Sequence, residues 1–290
     1  MDRTEKIVSE ISQIKEISTL PQVMQGILAA VMDERTSAQD LARNVSSDPA
    51  LAGKILKIVN SAFYGFYRQI SSMDQAVVIL GYREIRSIAI TLSISDMFGT
   101  HRARSGLDRM KLWEHSIATA ILADCIREQC CRGADGAFVC GLLHDVGLFV
   151  FDQYFSDEWA PVYIQCIRQG DRPLIKLEQE TFGLNHATVG HLLAERWNLP
   201  GEVSRAIAHH HEAPVPQTSA PLEAIVYVAN AMVKQWEIGF SGDSVDRPDT
   251  DGAREMLRMS EEQIPRIKAL FAKQMNSLNA LVGYMAEQND

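Results

Sequence analysis

The sequence lacks long apolar runs and paired-cysteine motifs, and only 7% of its 290 residues are aromatic. No stretch reaches the roughly 18 consecutive apolar residues of a membrane span. The charged N-terminus MDRTEKIVSE has no apolar region typical of a secretory signal. An odd number of cysteines without CxxC or zinc-type spacing predicts reduced thiols in the cytoplasm. The five cysteines are Cys125, Cys130, Cys131, Cys140 and Cys166.

Excess basic charge is also missing. The formal charge is −9. Residues 1–105 carry 12 basic and 11 acidic side chains, whereas residues 106–290 carry 16 basic and 26 acidic ones. Nucleic-acid binders usually carry a basic patch or stripe that neutralises phosphates. We therefore expect no nucleic-acid partner and no membrane partner, and a regulatory protein or a small ligand instead.

No segment alternates apolar and polar residues between hairpin turns, and helical signals recur instead, so the sequence predicts an all-α fold. Residues 82–98 are predicted to form one helix. Residues 137–151 are apolar nearly all round, as in a helix at the centre of a core. Another helix is predicted over 202–211. Predicted N-terminal caps are Ser37 with Asp40, Asp48 before Pro49, Ser72 with Gln75, and Asn185.

The C-terminal region begins with the clearest linker of the chain, GFSGDSVDRPDTDG at 239–252. Beyond Ser260, apolar residues then follow three or four apart. They indicate either a helix folded back on the core, which we favour, or a helix that binds a partner or forms a homodimer. The stripe consists of Ile264, Ile267, Phe271, Met275, Leu278, Val282 and Met285.

Five histidines and one aspartate are predicted to face a common interior. His144 and Asp145 interrupt the apolar run GLLHDVGLFVF, where an unpaired carboxylate would be costly. The other histidines lie on the apolar sides of three further predicted helices. They are His115, His186, His210 and His211.

These residue types suit a metal site. Facing helices of a bundle can present ligands to one centre. Imidazoles with one carboxylate favour iron, manganese, zinc or nickel over calcium. An aspartate between two cations can bridge them, and paired metals can promote phosphoester displacement. If the site is active, Asp145 is the candidate catalytic residue. We exclude His101, which lies in a polar stretch, and His191 and His209, which fall off the apolar faces.

The order of these residues resembles the HD superfamily of metal-dependent phosphohydrolases, particularly its HD-GYP branch. The segment DPALAGKILKIVNSAFYGFYRQISSMDQAVVILGYREIRSIAI is similar to the N-terminal part of an HDOD domain, the HD-related output domain of bacterial signalling proteins. Further similar segments are TLPQV, LWEHSIATA, GLLHDVG, FGLNHATVGHLL and AERWNLPGEVSRAIAHHHE. The resemblance covers about residues 17–235.

The resemblance implies an N-terminal helical bundle packed on an HD-like helical bundle, and the apolar stripe beyond Ser260 predicts a C-terminal helix in addition. The expected divisions are 1–105 for the HDOD-specific bundle, 106–238 for the HD-like bundle, 239–253 for the linker and 254–290 for the C-terminal segment. It also implies metal ligation by His115, His144, Asp145, His186, His210 and His211.

Three departures from the HD-GYP pattern argue against catalysis. Leu148 replaces a lysine that contacts substrate in the related enzymes, and the GYP element after the histidine pair is missing. Asn230 stands where the late aspartate ligand is expected, which leaves a weak ligand at most. The sequence therefore predicts a regulatory output module that is non-catalytic but retains a metal site. The alternative is a metal-dependent phosphodiesterase acting on a cyclic dinucleotide or nucleotide.

Overall fold

The computed structural model describes residues 3–15, 17, 19–31, 37–98, 105–131, 133–214, 220–242 and 249–287. These residues form sixteen helices and contain no strand, which confirms the all-α prediction. Across the described ranges no helix combines the length and the hydropathy needed to cross a bilayer. His101 lies outside the described residues, as does the side chain of Leu278.

The helices are numbered in chain order. The first six are α1 (Arg3–Gln13), α2 (Gln22–Val31), α3 (Ala38–Ser46), α4 (Pro49–Val59), α5 (Met73–Leu80) and α6 (Tyr82–Phe98). The next five are α7 (Arg109–Cys130), α8 (Ala137–Leu143), α9 (Val146–Tyr154), α10 (Ser156–Gln169) and α11 (Leu174–Phe182). The last five are α12 (His186–Arg196), α13 (Gly201–Ala208), α14 (Pro221–Gln235), α15 (Asp251–Met256) and α16 (Gln263–Glu287).

The helices belong to two compact units that do not follow chain order. The first unit comprises residues 1–19 and 101–271, and the second comprises 20–100 and 272–290. This division differs from the sequential one expected from the sequence, since both termini join a unit distant in the chain.

Specific contacts account for the placement of the termini. In the first unit, Thr4 Oγ1 donates to the carbonyl of Phe182 at 3.2 Å, and Trp197 Nε1 donates to the carbonyl of Ile17 at 2.9 Å. In the second unit, Lys57 Nζ lies 3.0 Å from Glu287 Oε2. The long-range hydrogen bonds hold the N-terminal segment on the unit that contains the histidines.

The predicted caps begin their helices as expected. Ser37 and Asp40 form a reciprocal capping box at α3, and Asp48 accepts from two backbone N–H groups at the start of α4. Ser72 and Asn185 accept from N–H groups three residues ahead of them. Each cap satisfies donors that a helix start leaves free, which explains why these boundaries could be predicted.

Two predicted helices are wrong at positions that matter for the site. The single helix expected over 137–151 is divided between α8 and α9, because Asp145 leaves helical geometry with φ −100° and ψ 14°. The helix expected over 202–211 ends at Ala208, since His209 turns out of the helix with φ −109° and ψ 16°. His210 and His211 therefore lie in a turn.

The start of the expected linker is packed against the first unit. Gly239 has φ +66°, and a Cβ there would lie 2.3 Å from the backbone nitrogen of His115. The N–H of Phe240 donates to the carbonyl of Lys111 at 2.9 Å. A glycine at 239 lets this segment contact α7 beside a candidate ligand.

Part of the C-terminal stripe is buried within the chain, as expected of a helix folded back on the protein. Ile267, Phe271 and Met285 are buried, and Trp236 packs on Phe271 with ring centroids 5.3 Å apart. The homodimer alternative stays a prediction.

Helices of the first unit meet closely around the histidines. α7 packs against α8 and α14, and α12 packs against α9 and α13. At the α9–α12 contact, a Cβ on Gly147 would lie 2.0 Å from the carbonyl oxygen of His186. Only glycine permits the two backbones to approach this closely. The approach brings His186 near Asp145, two residues before Gly147.

We expect Gly147→Ala to lower the free energy of unfolding by about 1–3 kcal/mol or more, because the added methyl meets rigid backbone. Gly252→Ala is the matched control. A Cβ at this helical position in α15 meets nothing within 4 Å, so this change should be neutral or stabilising by up to ~1 kcal/mol. Urea unfolding of both variants measures the difference, and equal stabilities would contradict the tight α9–α12 contact.

Candidate metal centre

Four chain segments bring the predicted ligands to one place. His115 lies on α7, His144 and Asp145 lie between α8 and α9, and His186 is the first residue of α12. His210 and His211 follow α13. Four of these histidines and Asp145 are at most 2% exposed, and His211 is half-buried. The structure thus joins all six residues that the sequence indicated.

The two oxygens of Asp145 face different histidines. Oδ2 lies 3.1 Å from His144 Nε2 and 3.7 Å from His115 Nε2. Oδ1 lies 3.3 Å from His210 Nε2 and 3.5 Å from His186 Nε2. A carboxylate in this position can bridge two cations, one at each oxygen.

We call the Oδ1 side the three-histidine half, formed by His186, His210, His211 and Asp145. We call the Oδ2 side the Asn230 half, formed by His115, His144, Asp145 and Asn230. The ligand-type atoms of the histidines and Asp145 on each side lie within 4.8 Å of one another. Asn230 joins the second group through a 3.0 Å contact between its Oδ1 and His115 Nε2.

Hydrogen bonds on the far side of the rings fix the tautomers of two histidines. His144 Nδ1 lies 2.7 Å from the carbonyl of Gly141, and His210 Nδ1 lies 2.7 Å from the carbonyl of Ile207. Because a carbonyl only accepts, each Nδ1 carries a proton. In the neutral ring, each Nε2 then directs a lone pair toward Asp145.

This arrangement leaves buried acceptors facing one another. His144 Nε2, His210 Nε2 and Asp145 Oδ2 have no hydrogen-bond partner among the described residues. Burial lowers the pKa of His115 to about 3. Burial likewise lowers the pKa of His210 to about 4. Although burial raises the pKa of Asp145, His144 and His210 more than offset it and hold this pKa well below its usual value.

A divalent cation would satisfy these groups. Neutral imidazoles and one carboxylate form the donor set preferred by zinc, iron, manganese and nickel. The donor set therefore fits a metal, and the partnerless nitrogens point where it would be held. A bound metal would act as a Lewis acid, and its charge would attract ligands from separate helices to one point.

Glu178 was missed by the sequence interpretation. It is fully buried on α11, and its Oε2 accepts from His186 N at 2.9 Å and lies 2.6 Å from His186 Nδ1. Its Oε1 accepts from Trp159 Nε1 at 2.9 Å. Burial lowers the pKa of His186, but the Glu178 carboxylate raises it above the ordinary value. The sequence did hold a signal for it. Glu178 lies four residues from both Leu174 and Phe182, which places its carboxylate on the apolar side of the helix.

The excluded histidines lie apart from this centre. His191 Nδ1 is 2.7 Å from Ser204 Oγ, and His209 Nδ1 is 2.9 Å from Glu212 Oε2 on the surface. Neither belongs to a group of possible metal-ligating residues among the described residues.

We expect Zn²⁺ or Mn²⁺ to raise the melting temperature of chelator-treated protein. A ligand at 100 times its dissociation constant adds about 2.7 kcal/mol when it binds only the folded chain. Asp145→Asn removes the carboxylate whose two oxygens face the two groups of histidines and should abolish most of this rise, whereas His191→Ala should keep it. Thermal unfolding with and without metal measures both, and an unchanged rise in Asp145→Asn would contradict the assignment.

Known proteins resemble this chain in sequence and in fold. An uncharacterized protein of Treponema pallidum (strain Nichols) is 30% identical over 241 residues, which are 80% of this chain and 45% of that relative. The chain thus spans about half the length of this curated relative.

Two crystal structures have similar folds. An HDOD domain protein of unknown function from Geobacter sulfurreducens has a TM-score of 0.72 and 26% identity, covering 98% of this chain and 96% of its own. A protein provisionally named a signal transduction protein, from Marinobacter aquaeolei VT8, has a TM-score of 0.73 and 21% identity. The match covers 92% of this chain and 59% of that protein.

The family model for the HDOD domain matches residues 17–213, which include five of the helices that surround the histidines and end just before α14 with Asn230. This match covers more than half of the chain and confirms the resemblance of the motifs. The chain belongs to the HDOD domain family.

Proposed function

We propose that this protein is a bacterial signal-transduction output module that acts through a regulatory protein partner and retains a metal pair without phosphohydrolase activity. Support comes from the burial of the ligand side chains. His115, His144, Asp145, His186 and His210 are all at most 2% exposed. A catalytic metal needs a coordination position open to water or substrate, whereas a structural site is closed by protein ligands. This burial is the observation that carries the proposal.

Leu148 supports the same conclusion. Its side chain is fully buried in α9, at the position where the resemblance to HD-GYP enzymes implies a substrate-contacting lysine. One lost electrostatic contact to a transition state typically costs on the order of 10² to 10³ in rate. The exchange of the late aspartate ligand for Asn230 removes a second charge, so hydrolysis would be slow even with metal bound.

A metal-dependent phosphodiesterase acting on a cyclic dinucleotide or nucleotide is the second candidate. It is favoured by Asp145, whose two oxygens face separate histidine groups as in a site that holds two metals. Access for such a substrate would require movement near His211, which is the half-buried member of the ligand set.

Deletion of the protein in cells, followed by complementation with variants, tests the signalling role. We expect deletion of the chain to alter a signalling response, and a full-length copy to restore it. A copy carrying Asp145→Ala should fail to restore it if the metal pair maintains the partner-binding conformation, and His209→Ala should restore it. A deletion with no phenotype, together with no captured partner, would remove support for the proposal.

Protein purified without chelator or a metal-affinity tag should contain a transition metal. Elemental analysis should show lower metal content in His115→Ala and in His210→Ala, because each removes a ligand on one side of Asp145. His209→Ala is the control, since its side chain is exposed and pairs with Glu212. Unchanged metal content in the first two variants would disprove the ligand assignment.

Metal-loaded protein should show no turnover of bis(p-nitrophenyl) phosphate above the metal blank. Leu148→Lys should not create activity, because a lysine at this fully buried position is destabilising. Leu148→Met is its volume-conserving control, expected to cost less than about 1.5 kcal/mol. Robust turnover that Asp145→Ala abolishes would establish the second candidate instead.

A further inference from the structure

The two halves of the metal centre differ in charge. Asp145 serves both, but the three-histidine half has a second buried carboxylate, Glu178, directly behind His186. On the other side, His144 is held by a backbone carbonyl and His115 contacts the neutral amide of Asn230. A cation near His186 therefore experiences two buried negative charges, whereas a cation near His115 experiences one.

The halves also differ in how far their ligands are already oriented. In the three-histidine half, His186 and His210 each bond to an acceptor through Nδ1, which leaves Nε2 directed inward. In the Asn230 half, His115 Nε2 donates to Asn230 Oδ1, so the atom that would bind a metal carries a proton instead. Filling this half requires that the hydrogen bond be broken and the His115 proton be displaced.

The nitrogens within the three-histidine half lie unusually close. His186 Nε2 and His211 Nε2 are 2.9 Å apart, and the ring centroids of His210 and His211 are 4.2 Å apart. Two ring nitrogens at that distance need a proton or a cation between them. A metal ion held by both nitrogens would displace the proton that this hydrogen bond carries, as in the Asn230 half, so the difference between the halves rests on Glu178 and on the rings already oriented through Nδ1.

We propose that Glu178 is a positioning residue that makes the three-histidine half bind the first metal ion, and that the Asn230 half binds the second ion more weakly. Glu178 fixes His186 through Nδ1 and raises the basicity of Nε2, an effect that outer-shell carboxylates have on metal-bound histidines. The Trp159 indole holds the other oxygen of Glu178, so the carboxylate cannot turn away. This inference rests on the proposed metal pair and adds its order of filling.

The test is a titration of metal-free, full-length protein with Co²⁺, followed by visible absorption and equilibrium dialysis. Wild-type protein should bind two equivalents in two steps, with the second at least about 10-fold weaker. Glu178→Gln keeps the size and shape of the side chain and should weaken the first step about 10- to 100-fold, with little effect on the second. Glu180→Gln on the same helix is the control, because that carboxylate is exposed and pairs with Arg172.

Two further variants keep the test decisive if Glu178→Gln does not fold. Trp159→Phe keeps ring packing but removes the donor to Glu178, and should weaken the first step by a smaller factor in the same direction. Asn230→Asp adds charge to the other half and should strengthen the second step by about 10-fold, whereas the exposed Asn198→Asp should not. An effect confined to one step separates positioning from a general loss of structure.

The outcomes distinguish the inference from the function on which it rests. If the wild-type protein binds no Co²⁺, the metal-retaining function fails. If two ions bind with equal affinity, or if Glu178→Gln and Trp159→Phe leave the first step unchanged, the proposed order of filling fails while the metal pair stands.

Discussion

Asp145 places a carboxylate in the interior of a helical bundle, and the surrounding structure is organised around it. Removing such a charge from water costs several kcal/mol unless attraction and hydrogen bonds compensate for it. Four histidine nitrogens lie within 3.7 Å of its oxygens, and two of these rings direct lone pairs rather than protons toward them. A bound cation would satisfy both the buried charge and the lone pairs.

Several features of the first unit serve this arrangement. The chain leaves helical geometry at Asp145, which divides the apolar run between α8 and α9 at the centre. Gly147 permits backbone contact with His186, and Gly239 permits contact with the backbone of His115. Bound metal would join α7, α12, α14 and the segments next to α8 and α13. In the proposed role, metal therefore stabilises a helix arrangement that a partner recognises.

Much of the fold could be predicted from sequence because its signals are local. The caps at Ser37, Ser72 and Asn185 satisfy backbone donors within three residues, and the bounds of α6 match the predicted 82–98. The convergence of the six ligand-type residues followed from helical periodicity and from the family motifs. That they bind metal stays a prediction.

The remaining features depend on contacts between distant residues. Periodicity alone gives no reason for the helix to stop at Asp145, since the run from 137 to 151 is apolar on both sides of His144 and Asp145. The placement of residues 1–19 with the histidine-bearing unit depends on contacts such as Thr4 with Phe182. Glu178 is recognisable as functional only when His186 is seen beside it, because a single glutamate on a helix is usually solvated.

Anomalous X-ray scattering from crystals grown with Mn²⁺ tests the metal pair most directly. Data collected at the manganese edge should show two peaks on either side of Asp145, separated by roughly 3.5–4 Å, the usual spacing of paired-metal sites. The stronger peak should lie among His186, His210 and His211. Crystals of folded, Mn²⁺-soaked protein with no peak near Asp145 would contradict a metal centre at these histidines.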